Sequence, residues 1–434
     1  MSKGTPKQDI LILGGGPSGL STALHLVRLA PHLAHRILVL EKARYPRPKL
    51  CAGGLVTDAE VILERLGLDV SEVPHVDARA AHFDFAGAGL RISVPGRHAI
   101  RIIRRDEFDN WLAGKARQAG IAIREGVTVR KVQPAADQVN VETDAGTFTA
   151  QVVVGADGSN GVTRRCVLPD ASIHTARVLE VLTPEYNAIA GSRETTTKQS
   201  PVYNEIASGC PSTSTLPSAL ASPERRLSAR SGRAPSNDMH EKDTAYFDFF
   251  PVPAGIAGYT WDFPTQVKGR PMRCWGIYDT NLLGNMERPA LKEPLDEEMG
   301  RNGLDLNRYE LKGHPIRWFS PFSPLSAPRI LLVGDAAGAD PIFGEGISIA
   351  LGYGQVAARE IAAAFQRGEY SFSGYKRRLV RSDLGGALVT RWAITQVVYH
   401  LRWNWFQRYF WRHMGWIIGP VSWLFVVNWG KRLR

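Results

Sequence analysis

The chain is poor in cysteine, and the few cysteines are scattered. Four occur among 434 residues, at positions 51, 166, 210 and 274, and no two have the close spacing of a zinc knuckle. This pattern excludes a disulfide framework and is typical of a reduced, intracellular protein. We therefore expect no metal site, and the length allows two or three packed units.

Acidic residues are missing from the end of the chain. After Asp383 there is none, although seven Arg or Lys and seven of the eleven tryptophans lie there. Cations interleaved with Trp are typical of a segment that lies on an anionic membrane surface. They also fit single-stranded nucleic acid, but the apolar run 414–430 favours lipid, so we expect no nucleic-acid partner. A C-terminal helix pair packed on the body is the remaining alternative.

A long hydrophobic run is also missing. The most apolar stretch, 414–430, is uncharged until Lys431 but contains Pro420, and it is shorter than the ~20 residues that a membrane span requires. We predict that residues 385–434 form a basic, Trp-rich helical tail. The protein is then expected to be cytoplasmic and held peripherally on the inner face of a membrane.

Periodicity is missing from residues 185–243. This stretch is rich in Ser, Thr, Pro and Arg, and it shows neither helical nor strand spacing. It is too long for an ordinary loop in a compact domain. We predict a disordered insertion there, with a locally out-of-frame stretch as the alternative, and assign no chemistry to it.

The first 41 residues predict a βαβ unit. An apolar strand (9–13) leads into a glycine turn and a helix, and a second buried strand ends at Glu41. Gly14 permits a tight turn, Gly16 lets backbone approach a pyrophosphate, and Gly19 lets the helix pack closely on the strand. Glu41, 22 residues after Gly19, is placed to accept hydrogen bonds from ribose hydroxyls. The pattern predicts a dinucleotide site, and a purely structural glycine turn is the alternative.

Three further stretches resemble the FAD-binding signatures of the flavin hydroxylase and reductase fold. Gly334 and Asp335 end a strand that is followed by a helix near Gly346, which resembles the ribityl-binding element; a helix cap at Asp335 is the alternative. The sequence VVVGADG (152–158) resembles that fold's further Asp-Gly element, and RDEFD resembles the start of its helix beside the flavin. The resemblance implies FAD as cofactor, bound by Gly14, Gly16, Gly19, Glu41, Lys42, Gly53, Arg105, Asp157, Gly158, Gly334, Asp335, Gly346 and Ile347.

These signatures define the expected fold class. We expect an α/β protein with a Rossmann-like FAD-binding domain of the glutathione reductase type, an interleaved β-rich substrate domain and the C-terminal helical tail. Short alternating strands around 78–97 mark the beginning of the β-rich part. The predicted FAD-binding domain is discontinuous (1–77, 98–165 and 325–384), and the predicted substrate domain comprises 78–97 and 166–324.

Two stretches resemble the geranylgeranyl reductase family. The sequence GYTWDFP resembles that family's Tyr-x-Trp-x-Phe-Pro box, and on a strand Tyr259, Trp261 and Phe263 project to one face. Three rings on one face form an apolar wall suited to an isoprenoid chain, although core packing produces the same pattern. The sequence KLCAGG, which contains Cys51, resembles the family's Cys-Gly loop that passes the flavin.

The resemblance implies an FAD-dependent reductase that saturates carbon–carbon double bonds of a prenyl chain on a lipid, pigment or quinone. It leaves the electron donor open: NADPH or reduced ferredoxin is expected, with a quinol as the alternative. Because an unperturbed thiol is mostly protonated at neutral pH, Cys51 is the candidate proton donor, with simple core packing as the alternative. A flavin monooxygenase of the same fold and a non-catalytic prenyl-lipid carrier are the other candidates. Related halogenases carry Trp-x-Trp where this chain has Tyr259-Thr-Trp261, which disfavours halogenation.

Overall fold

The computed structural model describes residues 7–85, 88–168, 175–185, 240–282, 289–413 and 428–433. Eighteen strands lie within these residues and form three sheets. Their bounds are β1 Lys7–Leu13, β2 Ile37–Glu41, β3 Gly54–Leu55, β4 His75–Ala78, β5 Ala80–Phe85, β6 Ala88–Ser93, β7 Ile100–Ile103, β8 Ala122–Glu125, β9 Val129–Pro134, β10 Val139–Thr143, β11 Gly146–Gly155, β12 Thr175–Pro184, β13 Thr244–Asp248, β14 Gly258–Val267, β15 Arg270–Asp279, β16 Lys312–Arg317, β17 Ser326–Ala327 and β18 Ile330–Leu332.

The same described residues contain ten α-helices. Their bounds are α1 Pro17–Leu29, α2 Thr57–Arg65, α3 Arg105–Gln118, α4 Val162–Val167, α5 Lys292–Arg301, α6 Ile347–Arg367, α7 Tyr375–Arg381, α8 Asp383–Val398, α9 Asn404–His413 and α10 Trp429–Arg432.

The first sheet has a parallel centre. Its order is β17-β18-β11-β1-β2-β8, with the hairpin β9-β10 joined to β11. The strands β18, β11, β1, β2 and β8 run parallel to one another, while β17 and β10 pair with β18 and β11 in the antiparallel direction. Continuous apolar runs such as 10–13 and 152–154 are fully buried, as expected for a parallel sheet that is covered on both faces. The predicted α/β, Rossmann-like fold class is confirmed.

Helices α1 and α6 pack tightly against each other. Ser21 of α1 donates its hydroxyl hydrogen to the carbonyl of Leu351 in α6, with an oxygen-to-oxygen distance of 2.8 Å. A Cβ added at Gly354 would lie 2.4 Å from the Ser21 hydroxyl oxygen, so a larger residue would push the helices apart. The glycine therefore fixes the short distance between the two helices.

The second sheet carries the aromatic box. Its order is β16-β12-β15-β14-β13-β5-β6, and the pairs are antiparallel except for β13 with β5. Its strands come from two separate stretches of chain, 80–93 and 175–317. The small sheet β3-β7-β4 contacts β14 of this second sheet through β4 and β7. The three aromatic residues of the predicted wall, Tyr259, Trp261 and Phe263, alternate along β14 of this sheet.

The C-terminal region packs on the body to a greater extent than the sequence predicts. Arg391 of α8 is 1% exposed and forms ion pairs with Asp340 at 3.0 Å and Glu345 at 2.6 Å. Both carboxylates precede α6. A fully buried arginine needs such partners, so α8 is bound to the loop before α6 and is not a separate membrane element.

The last described residues are also part of the body. Trp429 is fully buried, and a Cβ added at Gly352 of α6 would lie 2.6 Å from its ring. Asp58 accepts a hydrogen bond from the backbone N–H of Gly430 at 2.8 Å. Both ends of the predicted tail 385–434 therefore pack on the body, as in the alternative of a packed helix pair, while most of the apolar run 414–430 lies outside the described residues. No described helix is long and apolar enough to cross a membrane.

The predicted insertion also ends earlier than expected. Most of residues 185–243 lie outside the described residues, but His240 belongs to the body. Its Nδ1 atom lies 2.8 Å from Asp262 Oδ2, and its ring stacks on Tyr246 with centroids 3.7 Å apart. Arg273 donates to the carbonyl oxygen of Lys242 at 3.0 Å. The segment 240–243 is therefore anchored by buried charges that sequence periodicity does not reveal.

Candidate active site

A cavity of about 750 Å³ lies between the two large sheets. One side is formed by the turn after β1 and by the end of β2. The other side is formed by the aromatic residues of β14. The cavity is therefore shared by the dinucleotide-binding elements and the predicted substrate wall, and the residues of both determine what it can hold.

The turn after β1 brings bare backbone to one end of this cavity. Gly14 has φ +112°, and an added Cβ would lie 2.2 Å from the carbonyl oxygen of Ala156, so no other residue fits. Gly16 begins α1 without any side-chain cap, which leaves the helix N-terminus free to bind an anion. Gly19 does not line the cavity: its added Cβ would lie 2.0 Å from the Gly14 carbonyl oxygen, so its role is close packing.

Glu41 lies at the same end of the cavity and binds the backbone of the turn after β1. Its carboxylate accepts hydrogen bonds from the backbone N–H groups of Gly15 at 2.8 Å and Ala43 at 3.0 Å. A carboxylate has about four lone-pair positions, so two remain for hydroxyl groups of a ligand. The carboxylate therefore both fixes the turn and offers the acceptors that a ribose needs.

Arg47 is a further cation at this end of the cavity, and it was not among the residues predicted from the sequence. Its guanidinium lies 3.5 Å from the position of an added Cβ at Gly16, and it pairs with Asp109 at 3.0 Å. Arg105 forms two hydrogen bonds to the same carboxylate, both at 2.9 Å. Asp109 thus holds two arginines at the cavity wall. Their presence beside an uncapped helix N-terminus fits a pyrophosphate. The only sequence signal was the run YPRPKL (45–50), in which two prolines flank this arginine.

A second uncapped helix N-terminus faces the cavity from α6. Gly346 is its N-cap residue and makes no side-chain cap, while Ile347 and Asp335 line the cavity beside it. Gly334 is placed differently from the prediction: its added Cβ would lie 2.5 Å from Ser18 Oγ, so it packs against α1 and does not line the cavity.

Asp157 has a structural partner on one of its two oxygens. Its Oδ2 accepts hydrogen bonds from the backbone N–H and the hydroxyl of Thr163, both at 2.9 Å, and so caps α4. Its buried Oδ1 has no hydrogen-bond partner within the part of the chain that the structure describes. Both Asp157 and Gly158 line the cavity, so the free oxygen is available to a ligand.

The predicted aromatic wall is present and depends on one glycine. Tyr259, Trp261 and Phe263 all line the cavity and are about 5% exposed. Gly276 lies opposite Trp261 on β15, and an added Cβ there would lie 2.1 Å from the indole ring. The missing side chain therefore lets the indole lie across the neighbouring strand. Tyr259 donates its hydroxyl to the Phe343 carbonyl at 2.5 Å, which fixes the first ring of the wall.

The Cys51 loop lies between the two halves of the cavity. Cys51 and Gly53 line it, and the Gly53 backbone N–H donates to the Cys51 sulfur at 3.4 Å. Gly53 has φ +80°, and its added Cβ would lie 2.0 Å from the Ile103 carbonyl oxygen. The conformation is therefore imposed by contact with β7, so the glycine does not by itself demonstrate close approach to a flavin.

Polar residues from distant parts of the chain surround this loop. Lys49 Nζ lies 2.5 Å from His314 Nε2, and burial lowers the pKa of both, that of His314 to about 4. Glu180 of β12 also lines the cavity. No sequence motif contains His314 or Glu180. Only the pairing of β12 with β16 brings them to the same wall, so sequence reasoning had no signal for them.

The residues present fit FAD. Two uncapped helix N-termini, a carboxylate at the end of β2 and two arginines converge on one cavity, which suits a dinucleotide with an anionic centre and ribose ends. The predicted residues that line it are Gly14, Gly16, Glu41, Lys42, Cys51, Gly53, Arg105, Asp157, Gly158, Tyr259, Trp261, Phe263, Asp335, Gly346 and Ile347.

Comparison with known proteins agrees with this geometry. Residues 7–198 match the family model of the FAD binding domain. The chain is 24% identical over 411 residues to digeranylgeranylglycerophospholipid reductase of Thermoplasma volcanium, which covers 88% of this chain and 86% of that protein. The chain is an FAD-dependent oxidoreductase. Its relatives include these geranylgeranyl-type reductases and, at 25% identity over 372 residues (81% of this chain and 76% of that protein), menaquinone reductase of Mycolicibacterium smegmatis.

Solved structures show the same fold. A geranylgeranyl bacteriochlorophyll reductase-like protein from Thermoplasma acidophilum matches this FAD-dependent oxidoreductase with a TM-score of 0.66 at 18% identity, covering 97% of this chain and 100% of that one. A halogenase matches with the same TM-score at 14% identity, covering 98% and 83%. The fold is therefore shared by reductases and halogenases, and the residues of the cavity have to distinguish them.

Replacing Glu41 by Ala is expected to weaken FAD binding. The variant loses ribose acceptors and leaves the Gly15 N–H without its partner, which we expect to cost about 1–3 kcal/mol, or roughly 5- to 150-fold in affinity. FAD titration followed by flavin fluorescence measures the change. Glu64→Ala, an exposed position on α2, is the control and should bind like the wild type. An unchanged affinity in Glu41→Ala would refute the assignment of this carboxylate.

Proposed function

We propose that this protein uses FAD to saturate isolated carbon–carbon double bonds in a prenyl chain carried by a lipid, pigment or quinone. The observation that carries the proposal is the single cavity shared by the dinucleotide-binding elements and the aromatic wall. Bound FAD supplies hydride transfer to carbon in such a site. The relatives' names are in accord, since digeranylgeranylglycerophospholipids and menaquinone both carry isoprenoid chains.

The wall explains how an apolar chain is held. Tyr259, Trp261 and Phe263 present their rings along one side, with Phe247 beside them. Aromatic surfaces bind isoprene units through dispersion and by excluding water. An unactivated alkene has no carbonyl to polarise, so positioning in a dry channel has to supply much of the rate enhancement.

The chain itself has to supply the proton that accompanies hydride transfer. Cys51 is the proposed donor, because it lines the cavity that the dinucleotide-binding elements share with the aromatic residues. Tyr259 is less suited: its hydroxyl is already used on the Phe343 carbonyl, and burial raises its pKa well above the usual value. General-acid catalysis at such a position contributes about 10²–10⁴-fold to a rate.

The substitution Cys51→Ser tests the donor. The variant should retain FAD and accept electrons, yet its reduced form should be reoxidised by a prenyl substrate about 10²-fold more slowly or worse, because a serine hydroxyl is a far weaker acid. The measurement is single-turnover flavin absorbance under argon. Cys166→Ser, on α4 outside the cavity, is the matched control. Wild-type reoxidation in Cys51→Ser would show that the proton comes from elsewhere.

We further propose that the C-terminal region holds the protein at an anionic membrane surface, and that NADPH or reduced ferredoxin provides the electrons. The motivation for the first part is α9 and the residue before it. Trp403, Trp405 and Tyr409 are more than half exposed, whereas Trp411 of the same helix is buried against Phe249. Arg402, Arg408 and Arg412 accompany them without any acidic residue. This combination suits the headgroup region of a membrane.

Two tryptophan variants separate membrane binding from packing. The double variant Trp403→Ala/Trp405→Ala should bind anionic vesicles less well, with stability within about 0.5 kcal/mol of wild type, because both rings are exposed. Trp429→Ala should instead destabilise the fold by about 3–5 kcal/mol. Vesicle co-sedimentation at two salt concentrations and denaturant unfolding measure the two effects. Undiminished sedimentation of the double variant would remove the proposed anchor.

A further inference from the structure

Glu180 is a buried carboxyl group that the proposed chemistry has not yet used. It lies on β12, 4% exposed, and lines the cavity together with Val178. Its Oε2 has no hydrogen-bond partner among the described residues. Burying an acid with an unpartnered oxygen is costly, so such a group in a cavity wall indicates a functional requirement.

Strand register places Glu180 at the end of the aromatic wall. Glu180 pairs with Gly276 on β15, and Gly276 pairs with Trp261 on β14, so the three positions form one row across the sheet. Because Gly276 has no side chain, the indole of Trp261 extends across it toward Glu180. The carboxyl group therefore stands next to the surface that is proposed to hold the prenyl chain.

Glu180 is also connected to the Cys51 loop. Both residues line the cavity, and the backbone N–H of Cys51 is close enough to the Glu180 carboxyl group to favour its ionised form. Burial raises the pKa of Glu180 to about 7, so its acid form is substantially populated at neutral pH. The charged and titratable groups that face it from the surrounding elements are Arg104, Lys312, Lys49 and Cys274.

We propose that Glu180 is the positioning residue that holds the Cys51 loop in place and returns a proton to the Cys51 sulfur after each reduction. The proposal rests on the reductase function proposed above. It explains why a buried acid with an unpartnered oxygen is kept in the same cavity wall as a thiol.

The steps balance in atoms and charge. The Cys51 S–H bond breaks and a C–H bond forms at one alkene carbon, while the reduced flavin of the proposed reaction provides the hydride equivalent for the other. The Glu180 O–H bond then breaks and the S–H bond forms again. Glu180 is left as a carboxylate and recovers its proton from water when the site next opens.

The neighbouring polar groups are less suited to this role. Lys49 and His314 are bonded to each other, and His314 is neutral at pH 7 because burial and Lys49 lower its pKa to about 4. Cys274 is fully buried, and burial raises the pKa of its thiol well above the usual value. Glu180 alone among these combines an unpartnered oxygen with a contact to the Cys51 loop.

Alkylation of Cys51 tests whether the protonation state of Glu180 affects the Cys51 thiol, and it does so without requiring turnover. The FAD-bound protein is prepared with Cys166→Ser and Cys210→Ser, so that Cys51 and the buried Cys274 are its cysteines. Iodoacetamide modification of Cys51 is then followed by mass across pH 5–9. The plot of the modification rate against pH is expected to show an inflection near pH 7, where Glu180 ionises. Glu180→Gln should abolish the inflection. Above pH 7 it should also raise the alkylation rate about tenfold, which corresponds to a change of one unit in the pKa of the alkylated thiol. Glu180→Asp should retain the inflection.

Turnover provides a second readout that a structural role would not produce. In Glu180→Gln the first double bond should be reduced at the wild-type rate, because Glu180 is needed only after the first proton has been transferred. Each later double bond should be reduced at least about tenfold more slowly. Equal slowing of every double bond, or an inflection that persists in Glu180→Gln, would overturn the proposal. A wild-type protein that shows the inflection but reduces no prenyl substrate would refute the proposed function and still support the coupling of Glu180 to Cys51.

Discussion

The close packing of α1 on α6 is the constraint on which the site depends. Gly354 lets the two helices approach until Ser21 reaches the Leu351 carbonyl, and Gly334 lets the loop before α6 lie against Ser18. The packing brings two uncapped helix N-termini to one cavity. Each carries a partial positive charge, so together they favour an anionic, extended ligand such as a dinucleotide. A side chain at Gly354 would push the two helices apart and displace their N-termini from the cavity.

The C-terminal region stabilises this arrangement from outside. Arg391 neutralises two buried carboxylates in the loop that leads into α6, and Trp429 fills the space above Gly352 of the same helix. Removing either would leave an unpaired charge or a cavity directly behind α6, whose N-terminus faces the cavity. The region therefore has a structural role next to the candidate site, while Trp405 and Tyr409 of α9 remain exposed.

The sequence was informative where backbone conformation or a short motif decides the outcome. Gly14, Glu41, the helix N-terminus at Gly346 and the three rings of β14 all line one cavity, and the sequence could indicate them because tight turns and strand alternation are local properties. Residues that meet only through sheet pairing were missed: Glu180 and His314 lie 134 positions apart, and no periodicity links them. Gly19 packs closely, as its motif position predicts. Gly53 and Gly334 were interpreted through the cofactor, whereas close contacts with the Ile103 carbonyl and with Ser18 explain them.

The central claim is that the shared cavity transfers hydride to a prenyl alkene, and reoxidation of the reduced protein tests it most directly. The FAD-loaded protein is reduced under argon and mixed with prenylated lipids, pigments and quinones, while flavin absorbance and product mass are recorded. The account predicts rapid reoxidation without oxygen and a product heavier by two hydrogens for each double bond. Reoxidation that requires oxygen and gives a hydroxylated product would contradict it in favour of a monooxygenase. Binding of the prenyl compound without any reoxidation would instead indicate a carrier.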